Sequence, residues 1–209
     1  MNKKYLNNRF VVLYFLPFVL GSLSILSFEP FNFTIINLFI LPFFFYLLIF
    51  INKKSRAVYR KKPHKKNLFM FGISFGFGFY LSGISWITNS LTFDENFKFL
   101  IPFALILIPL FLSLFVGITT LLVGQYLKLN FSSILIFSAA LAFSDYLRAN
   151  ILTGFPWNLW AYSTTTMSEI SQILNSIGLH SYNLFLITIF VSPIIIFFEI
   201  GKIKKLFSL

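Results

Sequence analysis

FLIPFALILIPLFLSLFVGITTLLVGQ, residues 99–125, runs without one charged side chain. A bilayer core about 30 Å thick needs roughly 20 apolar residues of helix, and this stretch is long enough to cross it. Working outward, five more runs of comparable character are bounded by charge or turn residues, giving expected spans near 10–27, 31–51, 68–91, 99–125, 131–150 and 182–200. The runs lack the alternating polar pattern of a barrel strand, and a helix satisfies its backbone within its own segment. The expected fold is therefore all-α: a polytopic transmembrane helix bundle of about six spans, one transmembrane domain over residues 1–209. The composition agrees, with 57% hydrophobic and 11% charged residues and a mean hydropathy of +0.83. Both proportions lie far from those of a soluble globular domain.

The 31 Phe residues carry no functional reading, because A/T-rich codons favour them along with Ile, Lys and Asn. Cysteine is absent, which excludes a disulfide, a thiolate metal site or a cysteine nucleophile in these 209 residues. The net charge of +11 does not point to nucleic acid. Fifteen of the 17 basic residues fall beside or between apolar runs, on one side if the spans alternate, as the positive-inside rule expects. Eight crowd one connector: Lys53, Lys54, Arg56, Arg60, Lys61, Lys62, Lys65 and Lys66. Lys98 and Arg148 fall on the other side. The expected topology has both termini cytoplasmic and the links at 28–30, 92–98 and 151–181 outside. Lys3, Lys4 and Arg9 before the first run also fit a secretory signal, but the long apolar stretch favours an uncleaved anchor.

Within the third span, Gly72, Gly76, Gly78, Ser82 and Gly83 place small residues four apart at 72/76 and 78/82, so neighbouring helices can approach its backbone. Pro102 and Pro109 are expected to mark the start of the fourth span and a kink within it. Polar chemistry gathers between Asp145 and His180. Asp145 and Arg148, three apart, share a helix face. Two readings stand: an ion pair that anchors the helix end, or Arg148 gripping a lipid phosphate with Asp145 fixing its rotamer. Leu152-Thr153-Gly154-Phe155-Pro156-Trp157 breaks the helix and sets two aromatics at the interface. Thr166 and Glu169 have capping-box spacing ahead of Ile170, Ile173, Leu174 and Ile177, with a stop at Gly178. That pattern predicts a short external interfacial helix in segment 151–181.

His64 and His180 stand alone, without ligand spacing, and no metal or other cofactor is expected. Glu29 and Glu199 lie at span ends and supply no acidic relay for ion-coupled transport. Trp86, near the end of the third span, reads either as an interfacial belt residue or as part of a pocket.

Several of these stretches together resemble the membrane portion of bacterial apolipoprotein N-acyltransferase. They are Phe143-Ser144-Asp145-Tyr146-Leu147-Arg148, Leu152 to Trp157 with Tyr162, Ser27-Phe28-Glu29-Pro30-Phe31, and Gly76-Phe77-Gly78-Phe79 through Ser82-Gly83-Ile84-Ser85-Trp86. Asp145 stands where the family usually has Glu, and Ala149 where it has Gly. The resemblance implies an enzyme of the cytoplasmic membrane that moves an acyl chain from a phospholipid to the amino group of a lipoprotein's diacylglyceryl-cysteine. Family chemistry belongs to an extracytoplasmic nitrilase-like domain whose cysteine, assisted by glutamate and lysine, is acylated and deacylated. No residue of this chain inherits that role.

The resemblance implies instead a lipid-facing entrance shaped or supported by Trp86, Asp145, Arg148, Pro156, Trp157 and Tyr162. The implied partners are membrane phospholipid, diacylglyceryl lipoproteins and a nitrilase-like domain. The chain is expected to be the membrane half of such an enzyme, truncated or split from its catalytic domain. A non-enzymatic lipid-binding scaffold and a small transporter are the competing readings.

Overall fold

The computed structural model describes residues 8–57, 63–151, 154, 156–166, 170 and 172–196. It is helical throughout, with no strand among the described residues. Five helical stretches are long and apolar enough to cross a membrane: Thr34–Arg56, His64–Thr92, Glu95–Val123, Phe131–Asn150 and Leu179–Ile196. The shorter apolar helix Val11–Ser27, α1, is the sixth of the expected runs. It starts as a π turn over Val11–Phe15, where the Leu16 N–H reaches back to the Val11 carbonyl, and becomes α-helical over Leu16–Ser24. Pro17 accounts for the wide turn, since it has no N–H to donate and its ring crowds the carbonyl four residues earlier.

The second helix, α2 (Asn37–Ala57), begins later than residue 31 and runs past residue 51. Its start is delayed because Phe28-Glu29-Pro30 turns the chain back. The Phe31 and Asn32 N–H groups both bond to the Phe28 carbonyl, and Asn32 takes a φ of 57°. Helix α3 (His64–Ile84) runs on as a 3-10 turn over Ser85–Thr92. Helix α4 (Ile101–Val123) follows a 3-10 turn over Glu95–Leu100, with Pro102 in its first turn and Pro109 inside it. Helix α5 spans Phe131–Asn150. The last long helix, α7 (Leu179–Val191), starts three residues before the expected position.

Of the expected interfacial helix, the described residues include Ile170, which is helical, and a helix further on. Helix α6 covers Ile173–Ile177 and stops at Gly178, whose φ of 78° suits a residue without Cβ. Ile170 and Leu174 turn toward the core. Glu169 of the capping box, together with Leu152, Thr153 and Phe155, lies outside the described residues. So do Lys3, Lys4, Arg60, Lys61, Lys62, Glu199 and the basic tail.

Helix α3 is the hub, packed most extensively on α4 and α1 and also on α2, while α5 leans on α4 and α7, and α7 returns to α2. The glycines make this possible. A Cβ on Gly72 would lie 2.8 Å from the Val116 carbonyl oxygen, and one on Gly76 would lie 2.9 Å from the Ser113 Cα of α4. Gly78 faces the Phe18 carbonyl of α1 in the same way. Thr120 adds a hydrogen bond from its Oγ1 to the Leu68 carbonyl, 2.9 Å, across the α3/α4 contact. In lipid, where apolar burial offers little drive, close backbone approach and such bonds hold helices together.

Helix α4 shows the inversion expected of a lipid-exposed helix. Phe103, Ile106, Leu107, Leu110, Phe111, Leu114, Ile118 and Leu122 point outward, whereas Ser113, Gly117 and Thr120 are buried. The interior of the bundle is aromatic. Phe44 of α2 lies 4.1 Å from Phe75 and 5.0 Å from Phe71 of α3, centroid to centroid, and 5.9 Å from Phe137 of α5.

Candidate functional site

At the end of the bundle opposite the basic connector, the segment after α5 is bound to three helices by one polar network. Arg148, two residues before the last residue of α5, Asn150, is 2% exposed. Its Nη2 donates to Asp145 Oδ1 at 3.2 Å and its Nη1 to the Trp157 carbonyl at 2.8 Å. Its guanidinium lies 5.2 Å from the ring centroid of Tyr80 of α3. Asn183 of α7 is fully buried; its Nδ2 donates to Asp145 Oδ2 at 3.0 Å, and its Oδ1 accepts from the Ala161 N–H at 3.0 Å. The Thr164 and Tyr182 hydroxyls meet at 2.8 Å, and Thr34 donates to the Ser163 carbonyl.

Each carboxylate oxygen of Asp145 thus has its own donor, as a buried charge requires. The expected anchor is present and does more than close a helix end. It clasps the 157–164 segment. Arg148 is oriented inward on protein groups, so gripping a lipid phosphate is not the role its geometry serves.

In front of this clasp lies an open cleft of about 580 Å³, a size that suits a small-molecule head. Trp86, Pro156, Trp157 and Tyr162 line it, together with Phe28, Glu29, Gly83 and Asn158. Four of the six expected site residues therefore share one wall, while Asp145 and Arg148 stand behind it. Trp86 and Trp157 are half-exposed and meet edge to face, 5.5 Å between centroids at 79°. The Trp86 Nε1 donates to the Gly83 carbonyl at 3.1 Å, which turns its ring.

Behind these rings, Trp160 stacks on Phe79 at 5.0 Å and meets Phe28 at 6.2 Å. The 3-10 turn Trp160–Thr164 carries Tyr162 to the cleft. Burial pushes the Tyr162 phenol above its usual range against the pull of the Arg148 guanidinium, so it stays a neutral O–H at physiological pH. Asn158, at φ 57°, and Gly154, at φ 74°, make the bends that return the chain to the cleft.

Sequence reasoning missed Tyr80, Asn183 and Asn158. Asn183 had a visible signal, a lone amide in an apolar helix, where polar residues seek partners on other helices. Among the described residues no group of three His, Asp or Glu stands close enough to hold a metal ion.

The fold and the cleft define a helical membrane protein with an aromatic recess at one end of the bundle. The family model for the apolipoprotein N-acyltransferase N-terminal domain matches residues 20–192, and the chain belongs to that family. It is similar to the apolipoprotein N-acyltransferase of Rhodopseudomonas palustris, 31% identical over 177 residues that cover 84% of this chain and 32% of the relative. The enzyme of Bradyrhizobium diazoefficiens is 31% identical over 174 residues, 83% of this chain and 31% of the relative. That of Brucella melitensis is 32% identical over 120 residues, 57% of this chain and 23% of the relative. The chain spans about a third of the length of the first two. Apolar helices and family together make it a bacterial membrane protein.

Proposed function

We propose that this chain is the membrane half of an apolipoprotein N-acyltransferase, crossing the cytoplasmic membrane several times with both termini inside. In this reading it presents two-tailed lipids, phospholipid donor and diacylglyceryl lipoprotein acceptor, to a nitrilase-like catalytic domain that lies outside these 209 residues. The observation that carries it is the aromatic cleft, built by residues within the stretch that matches the family model. Its rings stand at the end of apolar helices, where a lipid head meets water. The 209 residues hold no cysteine, so a thioester must form on another segment or chain. A nitrilase-like domain truncated from this chain and one made separately are both compatible with this division of labour.

The test joins residues 1–209 to the catalytic domain of the Rhodopseudomonas relative and measures N-acylation of a diacylglyceryl peptide. We expect the chain alone to transfer nothing and the joined protein to transfer acyl groups. Trp157→Ala should lower the rate at least tenfold with normal protein levels. Full acylation by Trp86→Ala and Trp157→Ala variants would remove the cleft from the reaction. Topology has a separate check, since the chain has no thiol of its own. Thr165→Cys should react with an impermeant thiol reagent in intact cells, and reaction only after permeabilisation would invert the assignment.

A further inference from the structure

Helices α1 and α4 both pack on α3 through its glycines, Gly78 toward α1 and Gly72 and Gly76 toward α4. Between those contacts the α3 surface at Ile73, Ser74 and Phe77 stays half-buried and floors an apolar groove of about 360 Å³. Phe10, Tyr14 and Phe18 wall it on the α1 side and Leu110 on the α4 side. The Ser74 hydroxyl turns onto its own helix, donating to the Met70 carbonyl at 2.8 Å, so its proton is satisfied there.

The groove opens toward the basic end of the bundle, away from the aromatic cleft. Phe10 follows Arg9, whose Nη2 donates to Asn67 Oδ1 at 3.0 Å, and Asn67 in turn donates to Ser55 Oγ at 2.7 Å. This relay fixes an exposed guanidinium at the mouth of the groove. On α3, Lys66 is exposed as well and stands seven and eleven residues before Ile73 and Phe77, two and three helical turns along the same face.

Inside a bilayer an apolar groove takes another helix or a lipid chain. A helix gains by bringing backbones together over small residues, and this rim is built of Phe and Tyr instead. A hydrocarbon chain needs only apolar contact, and two cations at the mouth suit an anionic head. We propose that the groove and its mouth bind an anionic phospholipid of the leaflet at the basic end, with the phosphate on Arg9 and Lys66 and one acyl chain in the groove. With both termini inside this is the cytoplasmic leaflet, an assignment that rests on the proposed topology. The lipid lies at the opposite end of the bundle from the cleft, and its role is to hold α1 against α3 and α4 rather than to enter a reaction.

The test is native mass spectrometry of the 209-residue chain released from detergent micelles holding equal amounts of dioleoyl phosphatidylglycerol and dioleoyl phosphatidylcholine. Both lipids carry the same chains, so their difference reads the net charge of the head. We expect phosphatidylglycerol to be retained at least about tenfold over phosphatidylcholine, from roughly fivefold for each of two cations. Lys66→Gln should lower that preference about fivefold, and Arg9→Lys, which keeps the charge, should keep most of it. Lys53→Gln on α2 and Lys65→Gln on another face of α3 should leave it unchanged. Ser74→Phe, which fills the floor of the groove, should reduce retention of both lipids.

Equal retention of the two lipids by the wild type overturns the proposal. So does a preference that Lys53→Gln lowers as much as Lys66→Gln, since that is the field of the whole basic end and not a site. Full retention by a Ser74→Phe variant of wild-type helicity removes the groove. Lys66 is exposed, so its variant carries the test even where Ser74→Phe does not fold. The outcome is separate from acylation: a joined protein that never acylates but keeps the preference removes the acyltransferase reading and leaves this site.

Discussion

The two ends of the bundle fasten their helices with opposite chemistry. At the cleft end, Arg148 and Asp145 form a buried pair, and Asn183 and the Trp157 and Ala161 backbones complete its hydrogen bonds. At the basic end there is no acid in the described network. Arg9 donates to Asn67 Oδ1 at 3.0 Å, and Asn67 donates to Ser55 Oγ at 2.7 Å. Arg56 donates to Asn52 Oδ1 at 3.0 Å, and Asn52 in turn donates to the Gln125 carbonyl at 3.1 Å. There the neutral amides Asn52 and Asn67 are buried while Arg9 and Arg56 stay exposed.

The difference follows from solvent. A cation left in water needs no counter-ion, so amides suffice to staple α1, α2, α3 and the turn after α4. A cation taken out of water needs one, and Asp145 meets that need. The basic end therefore tolerates loss of a member, and the cleft end should not.

The largest effect should come from Asp145→Ala, which leaves the Arg148 guanidinium buried without its counter-charge. A destabilisation of about 3–5 kcal/mol is expected in reversible unfolding from mixed micelles. Replacing both residues, Asp145→Leu with Arg148→Met, should cost less than Asp145→Ala alone, because no unpaired charge remains. The Trp157 segment would still lose its clasp, and the double variant should show the more solvent-exposed tryptophan emission. A double variant no better than the single one would mean that the clasp, not the charge balance, dominates.

Next in size, Gly72→Ala forces a methyl to within 2.8 Å of the Val116 carbonyl oxygen. Separating α3 from α4 should cost about 1–3 kcal/mol by the same assay. At the basic end, Asn67→Ala removes one link between α1, α2 and α3 and should cost about 1 kcal/mol per hydrogen bond lost. A penalty there as large as that of Asp145→Ala would erase the contrast between the ends. Smallest of all, Glu29→Gln should leave the unfolding midpoint unchanged, since no group among the described residues engages that exposed carboxylate.

Much of this was legible from residue order. Six apolar runs of near-bilayer length appear as six helices, because lipid leaves the backbone no other way to satisfy itself within one segment. The glycines of α3 announced close packing, and the Asp145/Arg148 spacing announced an ion pair. The boundaries were less legible. The turn at Phe28-Glu29-Pro30 delayed the start of α2, and of the interfacial helix the described residues show Ile170 and Ile173–Ile177, with Ile170 and Leu174 packed toward the core.

What residue order alone determined is the helical membrane class, the charge asymmetry of the two ends and the segment where a site would lie. These are properties of each stretch against its solvent, and local hydropathy suffices to read them. What only the tertiary structure decided is which polar groups meet. Asn183 stands 38 residues from Asp145, and Tyr80 lies 68 residues before Arg148, yet all four share one clasp. Glu29 joins Trp157 in one cleft although four helices, α2 to α5, lie between them in the chain. Such pairings depend on how the helices cross, which is set by the packing of small faces over the whole bundle, and no single stretch carries that information.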